Sequence, residues 1–417
     1  MAKKRKPAVR FRGFTDDWEQ RKLGEITDSF SGGTPSAGVK EYYGGDIPFI
    51  RSAEINSDKT ELFITQKGLA NSSAKIANIG DILYALYGAT SGEVGRSRLK
   101  GAINQAVLVI KPYCEYSSDF LMQWLRKNKQ RIIDTYLQGG QGNLSATIVK
   151  DLSIDCTTAE EQEVIGTFFA TLDNLITLHQ RKLNRLKNVK KAMLEKMFPK
   201  NGSLFPEIRF AGFTGAWEQR KLGEVVIFLQ NNSLSRAELS TENGVAKNVH
   251  YGDVLTKFGE YLDVSRTPLP FIISQQVVDK LRWSFLQDGD VIMADTAEDQ
   301  TVGKCTEVAE LQGFPTISGL HTIPMRPQEK FAPGYLGYYM NSATYHDQLL
   351  PLMQGIKVTS VSKRAIQNTV ISLPVDIMEQ ARIGRYFILL DNLITLHQRE
   401  LARLKNVKKA MLERMFV

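Results

Sequence analysis

The sequence predicts an α+β protein built by internal duplication: a mixed α/β domain followed by a long helix occurs twice, and the two helices pair as an antiparallel coiled coil. Two stretches that recur almost verbatim, an amphipathic pattern closing each copy, and strand-like runs in the same order inside both copies carry this prediction.

The opening stretch VRFRGFTDDWEQRKLGE (residues 9–25) returns as IRFAGFTGAWEQRKLGE (208–224), with 13 of 17 positions identical. The closing stretch IGTFFATLDNLITLHQRKLNRLKNVKKAMLEKMF (165–198) returns as IGRYFILLDNLITLHQRELARLKNVKKAMLERMF (383–416), with 27 of 34 identical. The first pair is displaced by 199 residues and the second by 218, so the second interior is 19 residues longer. Near-identical flanks imply one mechanical task performed twice, and divergent interiors imply two related surfaces that recognise different things. The expected partition is a first domain (1–157), a first helix (158–198), a linker (199–207), a second domain (208–375) and a second helix (376–417).

Inside the first copy, DIPFI (46–50), DILYALY (81–87) and AVLVIKP (106–112) read as strands between Gly, Asn and Ser turns, and DFLMQWLRKNKQRIIDTYL (119–137) has helical periodicity. In the second, DVIMA (290–294) and HTIPMRP (321–327) echo the strands and GYLGYYMNSATYHDQLL (334–350) echoes the helix. The long helix starts near Thr158, where a capping residue precedes Glu160 and Glu161, and stops at Pro199 and Gly202. Its apolar positions include Leu172, Leu175, Ile176, Leu183 and Leu186, matched in the second copy by Leu390, Leu393, Ile394, Leu401 and Leu404. A helix of about 60 Å at 1.5 Å per residue is not stable alone, so each copy is expected to pack on the other along this stripe. His179 and His397 interrupt the stripe and either fix its register or sit at its wet edge.

A chain of 417 residues with 42% hydrophobic content is long enough for several cores. The basic start MAKKRKPAVRF lacks the apolar run of a secretory signal, and no long apolar stretch follows, so the expectation is a cytoplasmic protein without membrane insertion. Cys114, Cys156 and Cys305 are far apart and suggest reduced thiols and no metal site. A net charge of +8 and a pI near 9.1 favour a polyanionic partner without naming it.

Catalytic machinery is hard to find. Asp46-Ile47-Pro48-Phe49 has one proline where an amino-methyltransferase loop has two, and no Gly-rich cofactor turn accompanies it. Gly303-Lys304-Cys305 lacks the upstream glycine and the hydroxyl residue of a P-loop. Glu93-Val94-Gly95 and Val302-Gly303-Lys304 each lack one group of a metal-dependent nuclease site and read as turns. The five histidines form no triad or cluster by spacing. No catalytic residue and no metal ligand is expected.

What does suit nucleic acid is a set of loops that mix Gly, short polar side chains and Lys or Arg, a composition that lets a backbone approach DNA and place donors on phosphates or base edges. In the first copy these supply Ser31, Gly33, Thr34, Thr90, Arg96, Asn104, Gln105, Gln141, Asn143 and Ser145. In the second they supply His250, Tyr251, Thr296, Lys304, Ser318, His321, Lys357, Thr359, Ser360 and Lys363. The basic stretch 181–191, with its copy at 399–409, could line a phosphate track, dock a partner, or be a solvated flank of the coiled coil.

The repeated GFTxxWEQRKLGE (13–25 and 212–224), Glu161-Gln162 and Glu379-Gln380 ahead of the helices, LDNLITLHQR starting at Leu172 and Leu390, and GDIL and GDVI (80–83 and 289–292) together resemble the specificity subunits of type I restriction-modification systems, across essentially the whole chain. The resemblance implies two target-recognition domains, each reading one half of a gapped, asymmetric double-stranded DNA site. It implies conserved helices that set the gap and bind two modification subunits. Those partners would carry S-adenosylmethionine and methylate adenine at N6, while restriction subunits would use ATP and Mg²⁺, leaving this chain non-catalytic and without a cofactor. The alternative class is a coiled-coil adaptor that organises proteins and ignores DNA.

Overall fold

The computed structural model describes residues 6–137, 143–200 and 202–417. They fall into two compact units, Met1–Gln180 with Arg399–Val417, and Arg181–Gln398. The long helices run Ala159–Lys196 and Ile377–Met415, so the division passes through the middle of each.

In the first unit, β1 (Glu19–Lys22) and β10 (Ser153–Cys156) form an antiparallel pair. One four-stranded sheet combines β2 (Thr27–Ser31), β9 (Val107–Pro112), β6 (Ile82–Ala85) and β7 (Val94–Arg96) in that order. The other combines β4 (Phe63–Ile64), β3 (Tyr43–Ile50), β8 (Gly101–Ile103) and β5 (Lys75–Ala77), with β3 and β8 parallel. The helix Ser118–Tyr136, whose first turn is capped by the Ser117 hydroxyl, packs its apolar face on Trp18, Tyr84 and Leu108.

The second unit repeats the plan. β11 (Glu218–Lys221) pairs with β23 (Val370–Leu373), and the larger sheet runs β12 (Val226–Phe228), β21 (Thr322–Pro327), β17 (Val291–Ala294), β19 (Cys305–Ala309), β15 (Tyr261–Asp263). A smaller sheet orders β13 (Leu239–Ser240), β16 (Phe271–Ile272), β14 (Ala246–Val249) and β20 (Thr316–Ser318), and β18 (Thr296–Ala297) pairs with β22 (Thr359–Ser360). The single helix expected over 334–350 is instead two, Tyr335–Met340 and Ala343–His346. The Asn341 side chain leaves the helical path to bond both backbone groups of Cys305, and the Ser342 hydroxyl turns back onto the Tyr339 carbonyl, which ends the first helix.

The repeated flanks have a mechanical explanation within each unit. Arg10 grips Glu161 with two bonds of 2.6 Å, and Arg209 grips Glu379 at 2.7 and 2.8 Å, tying the opening stretch to the first turn of the long helix. The adjacent Gln162 accepts from the Ser117 amide and donates to the Thr157 carbonyl; Gln380 does the same with Ala332 and Pro374. The Glu-Gln pair therefore locks three chain segments at one point.

Inside each unit the two helix segments run antiparallel. In the first, Phe169 meets Phe416 and Asp173 meets Lys408 at 2.5 Å; in the second, Phe387 meets Phe198 and Asp391 meets Lys190 at 2.7 Å. Phe416 closes a core with Trp18, Phe120 and Phe169, and Phe198 does so with Trp217, Tyr335, Tyr339 and Phe387. Leu172, Leu183, Leu390, Ile394 and Leu401 are buried along the stripe, and Ile176, Leu186 and Leu404 are half-buried. Leu175 and Leu393 are corrections to the expected stripe, being 39% and 42% exposed, because the packed positions step 172, 176, 179, 183, 186 and leave them to one side. His397 is buried and His179 half-buried, which puts both histidines in the stripe.

Candidate nucleic-acid interface

In both units most of the loops singled out from sequence meet at one end of one sheet, β2-β9-β6-β7 in the first and β12-β21-β17-β19-β15 in the second, because the strands that feed them end there. In the first unit, Ser31 ends β2, Ala85 ends β6 and Val107 begins β9, and these strands are neighbours. The Gly33 amide donates to Ile103 (3.2 Å), Leu86 to Ala106 (2.8 Å) and Leu144 to Leu86 (2.9 Å). In the second unit the equivalent bonds run from Asn232 to Ser318 (2.9 Å), from Asp295 to His321 (3.1 Å) and from Val361 to Asp295 (2.9 Å). One backbone frame thus presents two unrelated sets of side chains.

In the first unit this end gathers Ser31, Gly33, Thr34, Thr90, Asn104, Gln105, Asn143 and Ser145. Thr34 bonds Gln105 side chain to side chain at 2.5 Å, Asn104 braces its own turn through the Ala106 amide, and Ser145 caps a short helix. Gly33 has a steric reason, since a Cβ there would lie 2.7 Å from the Ser73 Cβ. Gln141 falls outside the described residues. Arg96 lies elsewhere: it pairs with Ile82 at the opposite end of β6, forms an ion pair with Asp119, and lines a cavity of about 730 Å³ with Arg98 and Arg126.

In the second unit Tyr251, Thr296, His321, Lys357, Thr359 and Ser360 lie at this end. His321 has a left-handed backbone (φ 53°), with its Nδ1 3.4 Å from Asp295 and 3.5 Å from the Thr296 hydroxyl, and Tyr251 packs against its ring edge-on. Four expected contacts turn inward. Ser318 is fully buried and shares a hydrogen bond with Thr322, and His250 is buried and accepts from the Gly252 amide. Burial, with Arg236 nearby, holds the His250 imidazole below the usual histidine range. Lys304 donates to the Leu255 carbonyl at 2.9 Å and Lys363 to the Leu229 carbonyl at 2.8 Å; burial lowers both ammonium pKa values. A lone Lys in a Gly-flanked loop gives no sequence signal of which way it points.

Sequence reasoning passed over three side chains here, the half-buried Asn231 and the exposed Trp283 and Ile356. Asn231 bonds the Gly319 carbonyl; Trp283 is 94% exposed beside Ser284, whose hydroxyl accepts from the Gln230 amide; and Ile356 stands free of the protein surface. An apolar residue in a polar, Gly-flanked loop was the available signal.

The GDIL and GDVI sequences serve the far end of the same strands. Gly80 and Gly289 turn with φ 93° and 91°, and Asp81 and Asp290 accept from the Asn78 and Gln287 amides and pair with Lys111 and Arg326 on the adjacent strand. Among the described residues, no group of three or more His, Cys, Asp or Glu side chains could hold a metal ion, and no helix is long and apolar enough to cross a membrane.

The Type I restriction modification DNA specificity domain matches residues 15–188. The type I restriction enzyme MjaVIII specificity subunit of Methanocaldococcus jannaschii is 23% identical over 410 residues, covering 95% of this chain and 91% of that protein. The MjaIX specificity subunit of the same organism is 27% identical over 252 residues, 54% of this chain and 56% of its own length. In fold, the type I restriction-modification S subunit from M. genitalium superposes with a TM-score of 0.59 at 15% identity over 99% of both chains. The chain thus carries a match to the Type I restriction modification DNA specificity domain at its start, has a second copy of the same frame behind it, and is similar along nearly its whole length to specificity subunits of type I restriction-modification systems.

Proposed function

We propose that the strand-end loops of each unit read one half of a gapped, asymmetric sequence in double-stranded DNA, and that the paired helices set the gap. The observation that carries this reading is the shared frame of three backbone bonds with different side chains on it, as expected of two readers with one mounting and two specificities. Base edges in the major groove are distinguished by donor and acceptor pattern, and the amide, hydroxyl and imidazole groups gathered here supply both.

The helices also dock two modification subunits. Leu175 with Leu178, and Leu393 with Leu396, repeat at the same spacing and are exposed on both helices, as expected of two identical partners on two identical faces. These partners carry S-adenosylmethionine and methylate adenine at N6; restriction subunits add ATP and Mg²⁺, this chain contributes no catalytic residue, and the assembly works in the cytoplasm.

Methylation sequencing of a host with and without the gene tests the reading. A two-part methylated motif should vanish with the gene, and exchanging residues 225–376 for those of another family member should alter one half of it alone. A methylome unchanged by deletion refutes the proposal.

A further inference from the structure

Residues 354–360 of the second unit form a short finger. Gln354 and Ser360 exchange both backbone hydrogen bonds, at 3.0 and 2.8 Å, closing a tip made of residues 355–359. Gly355 makes the turn with φ 115°, and a Cβ there would sit 1.9 Å from the Val358 carbonyl oxygen, so no other residue fits without opening the loop. The root is fixed on the reading surface. β22 pairs with β18, the Val361 amide donates to Asp295 at 2.9 Å, and the Thr359 hydroxyl donates to the Ala297 and Asp299 carbonyls at 3.3 Å.

The tip carries Ile356, Lys357 and Val358. Ile356 is 101% exposed and Val358 52%, with Lys357 exposed between them. Three residues beyond, Val361 is buried, so the chain holds the tip outward while its root enters the core. No acid lies on the tip, and the Asp299 carboxylate at its base is taken up by the amide and hydroxyl of Thr301.

We propose that this finger is an apolar wedge for duplex DNA: Ile356 enters a base step from the groove, Val358 supports it, and Lys357 meets the adjoining phosphate. The inference rests on the reading that this end of the unit faces DNA. Aliphatic side chains partly unstack a step and bend the helix where a neighbouring cation holds the backbone, and the tip combines both groups on one rigid turn. Charge complementarity and continuity with Thr296 and His321 favour DNA over a protein as the occupant. Such a wedge selects sequence without base hydrogen bonds, because flexible pyrimidine–purine steps yield most readily.

The test uses the full chain assembled with its modification subunits. The probe is a duplex carrying the motif found by methylation mapping, with 2-aminopurine placed in turn along the second half-site and its flanks. Wild type should brighten the fluorophore at one step. I356A should abolish that signal and weaken binding about tenfold, I356L should keep both, and K357A should flatten the salt dependence while keeping the signal. The wedge is overturned if I356A matches wild type in affinity and fluorescence, if wild type binds tightly with no brightening at any position, or if I356A instead loses its modification subunits. Failure of wild type to bind any duplex would overturn the DNA reading itself.

Discussion

Removing the Arg209 guanidinium should unfold the second unit far more readily while sparing the first. Glu379 is 1% exposed, and Arg209 supplies it with two charge-assisted bonds at 2.7 and 2.8 Å. Arg209→Met keeps most of the side-chain volume but strands a buried carboxylate, and breaking a buried pair from one side costs about 3–5 kcal/mol. The double variant Arg209→Met, Glu379→Met removes the charge as well as its partner and should return to within about 1 kcal/mol of wild type. Hydrogen–deuterium exchange reads the two units separately, so β11, β23 and the first turns of the helix Ile377–Met415 should lose protection. The first unit, with Arg10–Glu161 intact, serves as the internal control. A loss below about 1 kcal/mol in the single variant, or a double variant as unstable as the single one, would refute the argument that this pair is a buried lock.

Phe416→Ala should destabilise the first unit by about 3–5 kcal/mol, since it empties a core site between Trp18, Phe120 and Phe169; an unchanged melting curve for that unit contradicts the packing. Glu307 is buried and accepts from the Gly334 and Gly337 amides at 2.6 and 3.0 Å, and burial pushes its carboxyl up to about 7. A folded-state pKa above the unfolded one means the folded unit holds the proton longer, so its contribution to stability is fully present below the usual carboxylate range and falls by about 3 kcal/mol as pH rises to about 7. Glu307→Gln should flatten that fall in a pH series of thermal melts, and a variant with the wild-type slope would exclude Glu307 as its source. Lys304→Met should leave DNA affinity within about twofold of wild type, because the ammonium faces the Leu255 carbonyl; a large loss would place this side chain at the DNA after all.

The long helices were legible because an amphipathic stripe sustained over dozens of residues, and stated twice, leaves little choice of structure. Strands such as β9 and β17 were readable as apolar runs, whereas β4, β13, β16, β18 and β22 have two residues each, too few to show a period. Their places follow from tertiary pairing, which no local pattern records. At the candidate interface, position along the chain could be read but direction could not. Thr34 and Gln105 reach the sheet end and find each other, while Lys304 and Lys363 occupy similar-looking loops and turn onto buried carbonyls. Arg96 sits at the open end of the β6–β7 hairpin, away from the other named residues, a distinction carried by strand register alone. The Glu-Gln pair ahead of each helix was visible as a repeat, but its role needed the partners Arg10 and Arg209, some 150 or 170 residues distant.

The way Phe416 completes the first core bears on how the chain is made. The second unit is one continuous run, Arg181–Gln398, and its core can close as soon as that run has left the ribosome. The first unit needs Arg399–Val417, so its earlier segments must wait, with the site beside Trp18 and Phe120 unfilled, until residues 399–417 emerge. Synthesis order and completion order of the two units are therefore inverted, the unit begun earlier being completed after the other. Throughout that interval its exposed aromatic site is an opening for chaperones and proteases, a hazard the second unit does not share.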